Sequence, residues 1–197
     1  MSEHYYTENP NSAHDERVVR ANALGNELEF TTDAGVFSRD GLDRGTQVLL
    51  ESLPPLRGRV LDLGCGWGAV GVALGKRDPA LEIVMSDINQ RAVALAARNL
   101  AENGVRAEVV QGDGFESVEG LFDAVVTNPP IRAGKAVIYG LFAQARDRLR
   151  PGGGLYLVIR KQQGAESCMR FLSDYFETVE KLDRSAGFWV IRAAERK

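Results

Sequence analysis

Apolar residues along this chain fall into short runs, each closed by glycine, asparagine, aspartate or proline, and the runs alternate with stretches of helical spacing. Leu28-Glu29-Phe30-Thr31 alternates as a half-buried strand does, and Asp33-Ala34-Gly35 then supplies a turn. From Arg59 the rhythm changes. Val60-Leu61-Asp62-Leu63 predicts a short apolar strand, and the glycine-rich Gly64-Cys65-Gly66-Trp67-Gly68 opens a helix of small residues. Ile83-Val84-Met85 predicts a second strand ending at Ser86-Asp87. Residues 89–102 are rich in alanine and leucine, hold no glycine or proline, and stop at Asn103-Gly104, a pattern that predicts a helix and its end. Val109-Val110 closes a third strand at Gln111-Gly112-Asp113, and a fourth, 122–127, runs straight into Asn128-Pro129-Pro130. Ile138, Leu141, Phe142, Ala145 and Leu149 recur at helical spacing. Pro151 and three glycines predict a turn into a fifth strand at 155–159, and two further apolar stretches lie around 176–179 and 188–191.

Strands alternating with helices predict an α/β fold with a mostly parallel sheet covered on both faces. The strands lack a clean period of two, as strands buried on both sides do. In such open sheets ligands bind beyond the carboxyl ends of the strands, near the point where strand order reverses. The strand ends at 62–68, 87, 113 and 128–131 are therefore expected to meet at one crevice. Residues 1–27 are polar and weakly patterned apart from Tyr5, Tyr6 and Val18-Val19. They read as an N-terminal extension to a single domain spanning 28–197.

Composition narrows the classes. At 197 residues, 44% hydrophobic and 26% charged, the chain has the balance of one globular domain and not of a disordered one. Cys65 and Cys168 form no CxxC pair, and His4 and His14 both lie in the polar N-terminal stretch, so neither a metal site nor a histidine-based triad is expected. There is no signal-peptide pattern and no apolar run of membrane-spanning length, which makes a cytoplasmic setting without membrane contact the expectation. A net charge of −3 excludes a uniformly basic nucleic-acid grip but leaves room for a local basic rim.

Gly66-Trp67-Gly68-Ala69-Val70-Gly71 fits the G-x-G-x-x-G turn between a strand and a helix, with Asp87 about 20 residues on to accept from ribose hydroxyls. Residues 71–76 superficially resemble a phosphate loop. Only three residues separate Gly71 from Gly75, however, and Arg77 stands where Ser or Thr is required, which argues against an ATPase. Asp62 precedes the first glycine of Gly64-x-Gly66-x-Gly68. A carboxylate there repels a pyrophosphate and suits a ligand with a cationic end, such as the amino group of S-adenosylmethionine. Two other readings stay open, NAD as the ligand and Asp62 as a plain helix cap.

Asn128-Pro129-Pro130-Ile131 at a strand end is the most specific signal. Proline removes backbone donors and leaves carbonyl acceptors. The Asn128 side-chain oxygen and the Pro129 carbonyl can together accept both hydrogens of a planar NH2 group. Holding both turns the nitrogen lone pair out of conjugation and toward an electrophile. A rigid turn capping a strand is the bland alternative.

In order, the strand with Asp62-Leu63-Gly64-Cys65-Gly66, then Asp87, Asp113 and Asn128-Pro129-Pro130-Ile131, resemble a class I S-adenosylmethionine-dependent methyltransferase of Rossmann-like fold with seven strands. The upstream run from Gly35 through Val36-Phe37-Ser38-Arg39-Asp40-Gly41-Leu42-Asp43 to Gly45-Thr46 is similar to the catalytic domain of the ribosomal RNA small-subunit methyltransferase C group, which methylates a guanine exocyclic amine. The resemblance implies that Asp62, Gly64 and Gly66, with Cys65 packed in the same loop, hold the methionine part of the cofactor. Asp87 would take the ribose hydroxyls, Ile88 would lie against the adenine, and Asp113 and Gly114 would meet its amino edge. Phe37 and Thr46 would close over the cofactor, while Asn128 and Pro129, with Pro130 and Ile131, would hold the target amine. Two departures stand out: Ile131 replaces the aromatic residue that several amine methyltransferases carry, and the additional N-terminal domain of longer members is absent from these 197 residues.

The implied reaction is direct methyl transfer from sulfur to nitrogen on RNA, either free small-subunit ribosomal RNA or the assembled subunit. Arg39, Arg44, Arg132, Lys135, Arg160 and Lys161 are the cations expected around the crevice, where they could grip phosphates. Rival expectations are methylation of a protein glutamine amide, an NAD-dependent dehydrogenase, and a non-catalytic RNA-binding module on the same fold.

Overall fold

The alternating rhythm of the sequence is realised as seven strands in one sheet, in a computed structural model that describes residues 8, 10 and 12–197. His4, Tyr5 and Tyr6 lie outside the described residues. An N-terminal hairpin comes first, β1 (Arg17–Ala23) and β2 (Asn26–Thr32), followed by α1 (Arg44–Ser52). The sheet then builds from β3 (Arg59–Leu63), α2 (Ala69–Arg77), β4 (Glu82–Asp87), α3 (Gln90–Glu102), β5 (Glu108–Gln111), β6 (Phe122–Thr127), α4 (Lys135–Arg148), β7 (Leu149–Arg160), α5 (Ala165–Ser173), β8 (Phe176–Ser185) and β9 (Phe188–Arg196). Strand order is β5-β4-β3-β6-β7-β9-β8, with β9 antiparallel to both its neighbours and the other pairings parallel. The order reverses between β3 and β6, which places the end of the glycine-bearing strand beside Asn128.

Successive residues of each central strand enter opposite cores. Val60, Ile83, Met85, Val126 and Val158 join one core, under α1, α2 and α3. Leu61, Leu63, Val84, Val125 and Leu157 join the other, under α4 and α5 with Ile138, Phe142 and Leu172. Burial on both faces explains why no polar alternation marks these strands. The helix expected at 89–102 forms as α3: Asn89 caps it by accepting from the amides of Arg91 and Ala92, and Ala92, Leu95, Ala96 and Leu100 make its buried stripe.

Three local expectations change. Leu149, expected as the last apolar position of a helix, instead starts β7 by pairing with Phe122. The turn expected at Pro151 is an outward bulge within that strand, because Gly154 resumes the pairing opposite Ala124. A Cβ on Gly153 would lie 3.0–3.1 Å from three backbone oxygens, so the bulge closes too tightly for a side chain there. The boundary drawn at residue 27 falls inside the β1–β2 hairpin. Ala23 pairs with Asn26 across Leu24 and Gly25, both at positive φ as this tight turn requires. Val19, Ala21 and Ala23 pack against the first core, and Asn99 of α3 exchanges hydrogen bonds with the Thr31 backbone at 2.7 and 2.9 Å.

Candidate active site

The carboxyl ends of β3, β4 and β6 and the loop after β5 enclose a cavity of about 320 Å³. Of the residues expected around a ligand, Phe37, Thr46, Asp62, Gly64, Cys65, Gly66, Asp87, Ile88, Asp113, Gly114, Asn128, Pro129 and Pro130 all line it.

Its floor is the glycine loop. The amides of Gly64 and Cys65 donate to the Ser86 carbonyl at 2.8 and 2.9 Å, and the Gly66 amide donates to Asp87 Oδ2 at 2.8 Å. Gly64 and Gly66 have positive φ, and a Cβ on either would meet nothing within 4 Å, so their bare backbone faces open space that a ligand can enter. Gly71 serves packing instead, since a Cβ there would sit 2.5 Å from Met85 Sδ. Asp62 is 2% exposed, and its Oδ2 accepts from the Gly71 amide in the first turn of α2 at 2.9 Å. The helix-cap reading of Asp62 is therefore realised, together with a place in the cavity wall. Burial first, then the charge of Asp87, push its carboxyl up to about 7. Burial also raises Asp87, against amide donors from Asn89 and Gly66. Two buried carboxyls at adjacent strand ends favour a cationic ligand. Burial likewise holds the Cys65 thiol protonated, which makes it a packing group.

The second wall descends from the N-terminal segment. The Trp67 indole donates to the Phe37 carbonyl at 2.9 Å, and Asn89 Nδ2 donates to the Gly35 carbonyl at 2.9 Å. Asp33 is buried, accepts from the amides of Asp15 and Ala34, and meets His14 Nδ1 at 2.5 Å.

At the end of β6 the Asn128 amide is tied to the start of α1. Its Nδ2 donates to Thr46 Oγ1 at 3.0 Å and reaches the two oxygens of Asp43 at 3.4 and 3.5 Å. Asp43 also caps α1 by accepting from the amides of Gly45 and Thr46, and takes the Thr46 hydroxyl hydrogen at 2.5 Å. Pro129 and Pro130 follow with an inverse γ-turn, in which the Ile131 amide donates to the Pro129 carbonyl at 2.8 Å. That leaves the carbonyl one free lone pair. Ile131 packs against the second core and is not part of the cavity lining. The apolar mouth belongs to Phe37 and Val137, 38% and 49% exposed.

The six expected cations separate. Arg132, Lys135, Arg160 and Lys161 are exposed around the ends of β6 and β7, with Arg160 lying 4.6 Å over the Phe188 ring. Lys161 and Arg170 border a second, open depression at the start of α5. Arg44 is exposed and donates to Gln47, whereas Arg39 is bound to the Asp15 carboxylate. Sequence reasoning gave no role to Asp43, Trp67, Ser86, Val137 or Arg170. Ser86 left no signal: its hydroxyl is buried at the cavity without a hydrogen-bond partner among the described residues. Among the described residues no three metal-ligating side chains cluster, and no helix is long and apolar enough to cross a membrane.

Residues 27–192 match the family described as methyltransferase small domain. A Bacillus subtilis protein, YbxB, described as uncharacterized, is 36% identical over 98% of both chains. The ribosomal RNA small subunit methyltransferase C of Aeromonas hydrophila is 38% identical over 83% of this chain, which covers 48% of that protein. A solved T. thermophilus 16S rRNA N2 methyltransferase (RsmC), in complex with AdoMet and guanosine, superposes with a TM-score of 0.83 at 31% identity, over 92% of this chain and 51% of its own. The chain thus spans about half the length of these ribosomal RNA methyltransferases and nearly all of YbxB.

Proposed function

We propose that this chain, which belongs to the methyltransferase small-domain family of S-adenosylmethionine-dependent enzymes, methylates the exocyclic N2 amine of a guanine in small-subunit ribosomal RNA. One observation carries the reading: the Asn128 amide is held by its nitrogen, so that its oxygen is left for the cavity beside the Pro129 carbonyl. Two acceptors at one strand end match the two hydrogens of an NH2 group. The ribosomal RNA methyltransferases among the relatives, one of them solved with guanosine, support guanine in ribosomal RNA as the substrate.

The wall and floor of the cavity fit the cofactor. Bare glycine backbone, two buried carboxyls and an unpartnered buried hydroxyl are what a ligand with an ammonium group and ribose hydroxyls would satisfy. When bound, the cofactor supplies an electrophilic methyl group on a sulfonium. Asp62, Gly64 and Gly66 would hold its methionine end, and Asp87 would accept from its ribose hydroxyls. Ile88, Asp113 and Gly114 would border its base, while Phe37 and Thr46 would close over it.

Asn128 and Pro129 hold the two amine hydrogens and turn the nitrogen lone pair out of conjugation, toward the methyl group. Positive charge then grows on the nitrogen, its hydrogens become better donors, and both acceptors bind them more tightly. Preorganised acceptors of this kind contribute about 3 kcal/mol to the barrier, and orientation contributes on the order of 7–11 kcal/mol. The product loses its proton to water. The guanine must be unpaired or flipped out, since its amine is inaccessible within a helix. Arg132, Lys135, Arg160 and Lys161, with Arg44 on the opposite lip, grip the flanking phosphates.

The test is transfer of labelled methyl from S-adenosylmethionine to small ribosomal subunits, and to naked 16S ribosomal RNA, from a strain lacking this gene. Label is expected in N2-methylguanosine, and Asn128→Ala is expected to lower turnover about a hundredfold. Label in glutamine of a ribosomal protein, with none in RNA, would replace this substrate by a protein amide.

A further inference from the structure

Asn128 is useful to an amine only in one of its two amide orientations. With its oxygen toward the cavity it accepts a hydrogen from the target; with its nitrogen there it would present a donor to a donor. An amide orientation is set by what surrounds it, and the surroundings here leave no choice. Asp43 caps α1, and the Thr46 hydroxyl spends its single hydrogen on Asp43 Oδ2. Thr46 Oγ1 therefore offers Asn128 only lone pairs, and so do both carboxylate oxygens of Asp43. Every group on that side is an acceptor, which fixes the Asn128 nitrogen toward α1 and its oxygen toward the cavity.

We propose that Asp43 is a positioning residue for methyl transfer. Through Thr46 and directly, it locks the Asn128 amide with its oxygen toward the target amine and polarises that oxygen for the charge that develops there. The inference rests on the reading that Asn128 receives the amine. Its physical basis is separate, namely a helix cap that doubles as the orienting group for a side chain 85 positions away. A carboxylate drawing on the amide N–H groups shifts electron density toward the amide oxygen, because linked hydrogen bonds strengthen one another.

Asp43→Asn separates this role from capping. Asparagine still accepts from the Gly45 and Thr46 amides, so α1 keeps its cap. Its NH2 group, however, stands where Oδ2 accepts the Thr46 hydroxyl, so that hydroxyl is freed to donate toward Asn128 and favours the reversed amide. Turnover is expected to fall tenfold to a hundredfold. S-adenosylhomocysteine binding, measured by calorimetry, and KM for RNA should each stay within about twofold. Asn128→Asp alone sets two carboxylates against each other and should also be poor. The exchange Asp43→Asn with Asn128→Asp restores a donor facing an acceptor and should turn over at least tenfold faster than the product of the two single effects predicts.

Strictly multiplicative effects, or a fully active Asp43→Asn beside an inactive Asn128→Ala, would overturn the positioning role and leave Asn128 as the amine acceptor. A fully active Asn128→Ala would remove the underlying reading as well. Should Asp43→Asn fail to bind S-adenosylhomocysteine, Thr46→Val decides the question. It deletes the nearest acceptor while Asp43 keeps the backbone cap, and unchanged turnover in that variant would refute the lock.

Discussion

The indole Nε1 of Trp67 donates to the carbonyl oxygen of Phe37 at 2.9 Å, joining the glycine loop to the N-terminal segment that forms the opposite wall of the cavity. Trp67 is also fixed from behind, edge-on to Phe30 of β2 at 4.8 Å, with its own carbonyl accepting from Asn99 Nδ2 at 2.7 Å. A single side chain thus ties the floor of the cavity to the segment that covers it.

Trp67→Phe keeps an aromatic ring in the core and deletes the donor to Phe37. The cost to stability is expected to be about 1–3 kcal/mol, from the smaller ring and the lost hydrogen bond. S-adenosylhomocysteine affinity should fall about threefold to tenfold, because the covering segment is no longer latched, while turnover at saturating cofactor changes little. Calorimetric titration together with a thermal melt checks both. Unchanged affinity in the destabilised variant would mean that Phe37 does not close over the cofactor.

The buried carboxyl of Asp62 is expected to make both stability and cofactor affinity depend on pH. It ionises near 3.8 in the unfolded chain and at about 7 in the folded one. Raised by burial, it favours the folded state fully below about pH 4, and that contribution is lost as pH rises to 7. The difference corresponds to about 4 kcal/mol. Asp62→Asn retains an acceptor for the Gly71 amide and carries no charge. Without cofactor it should be more stable than the parent at pH 8 and no more stable at pH 4. An ammonium group beside Asp62 favours the ionised form, so cofactor binding should release a proton near pH 6 and tighten from pH 5.5 to 7.5. Titrations in buffers of different ionisation enthalpy count that proton. In Asp62→Asn affinity should fall at least tenfold, and the pH dependence carried by this carboxyl should disappear.

Most of the candidate crevice was legible because its residues stand at strand ends. Asp62, Asp87, Asp113 and Asn128 each follow a short apolar run, and a parallel sheet brings such ends together whatever the loops do. The N-terminal half of the site was less legible. Val19, Ala21 and Ala23 alternate within a polar stretch, but β1 becomes a strand only by pairing with β2 and resting on α3, a tertiary arrangement that local pattern does not carry. Helix α1 had no reading of its own, and no local pattern says that Asp43, which caps it, also neighbours Asn128. The Pro151 bulge misled because proline and glycine mark a chain reversal and an outward bulge alike.

Charge on a surface is a weaker guide than its partners, and the six expected cations illustrate the point. Arg39 is engaged with Asp15, and its exposure is 27%. It braces the N-terminal segment and is expected to contribute little to phosphate binding. Arg160 and Lys161 are exposed at the end of β7, and the Phe188 ring holds the Arg160 guanidinium in place at 4.6 Å. Phosphate contacts release counterions, so each contact contributes about 0.7 to the slope of log affinity against log salt on single strands. The double variant Arg160→Gln with Lys161→Gln should therefore weaken RNA binding at 50 mM salt and flatten the slope by about 1.4, with S-adenosylhomocysteine affinity unchanged. Arg39→Gln should leave the slope intact and change stability by at most about 1 kcal/mol. Filter binding of a 16S ribosomal RNA fragment between 50 and 200 mM salt, together with thermal melts, distinguishes the two. A flattened slope in Arg39→Gln with none in the double variant would place the RNA along the segment between β2 and α1 and not at the ends of β6 and β7.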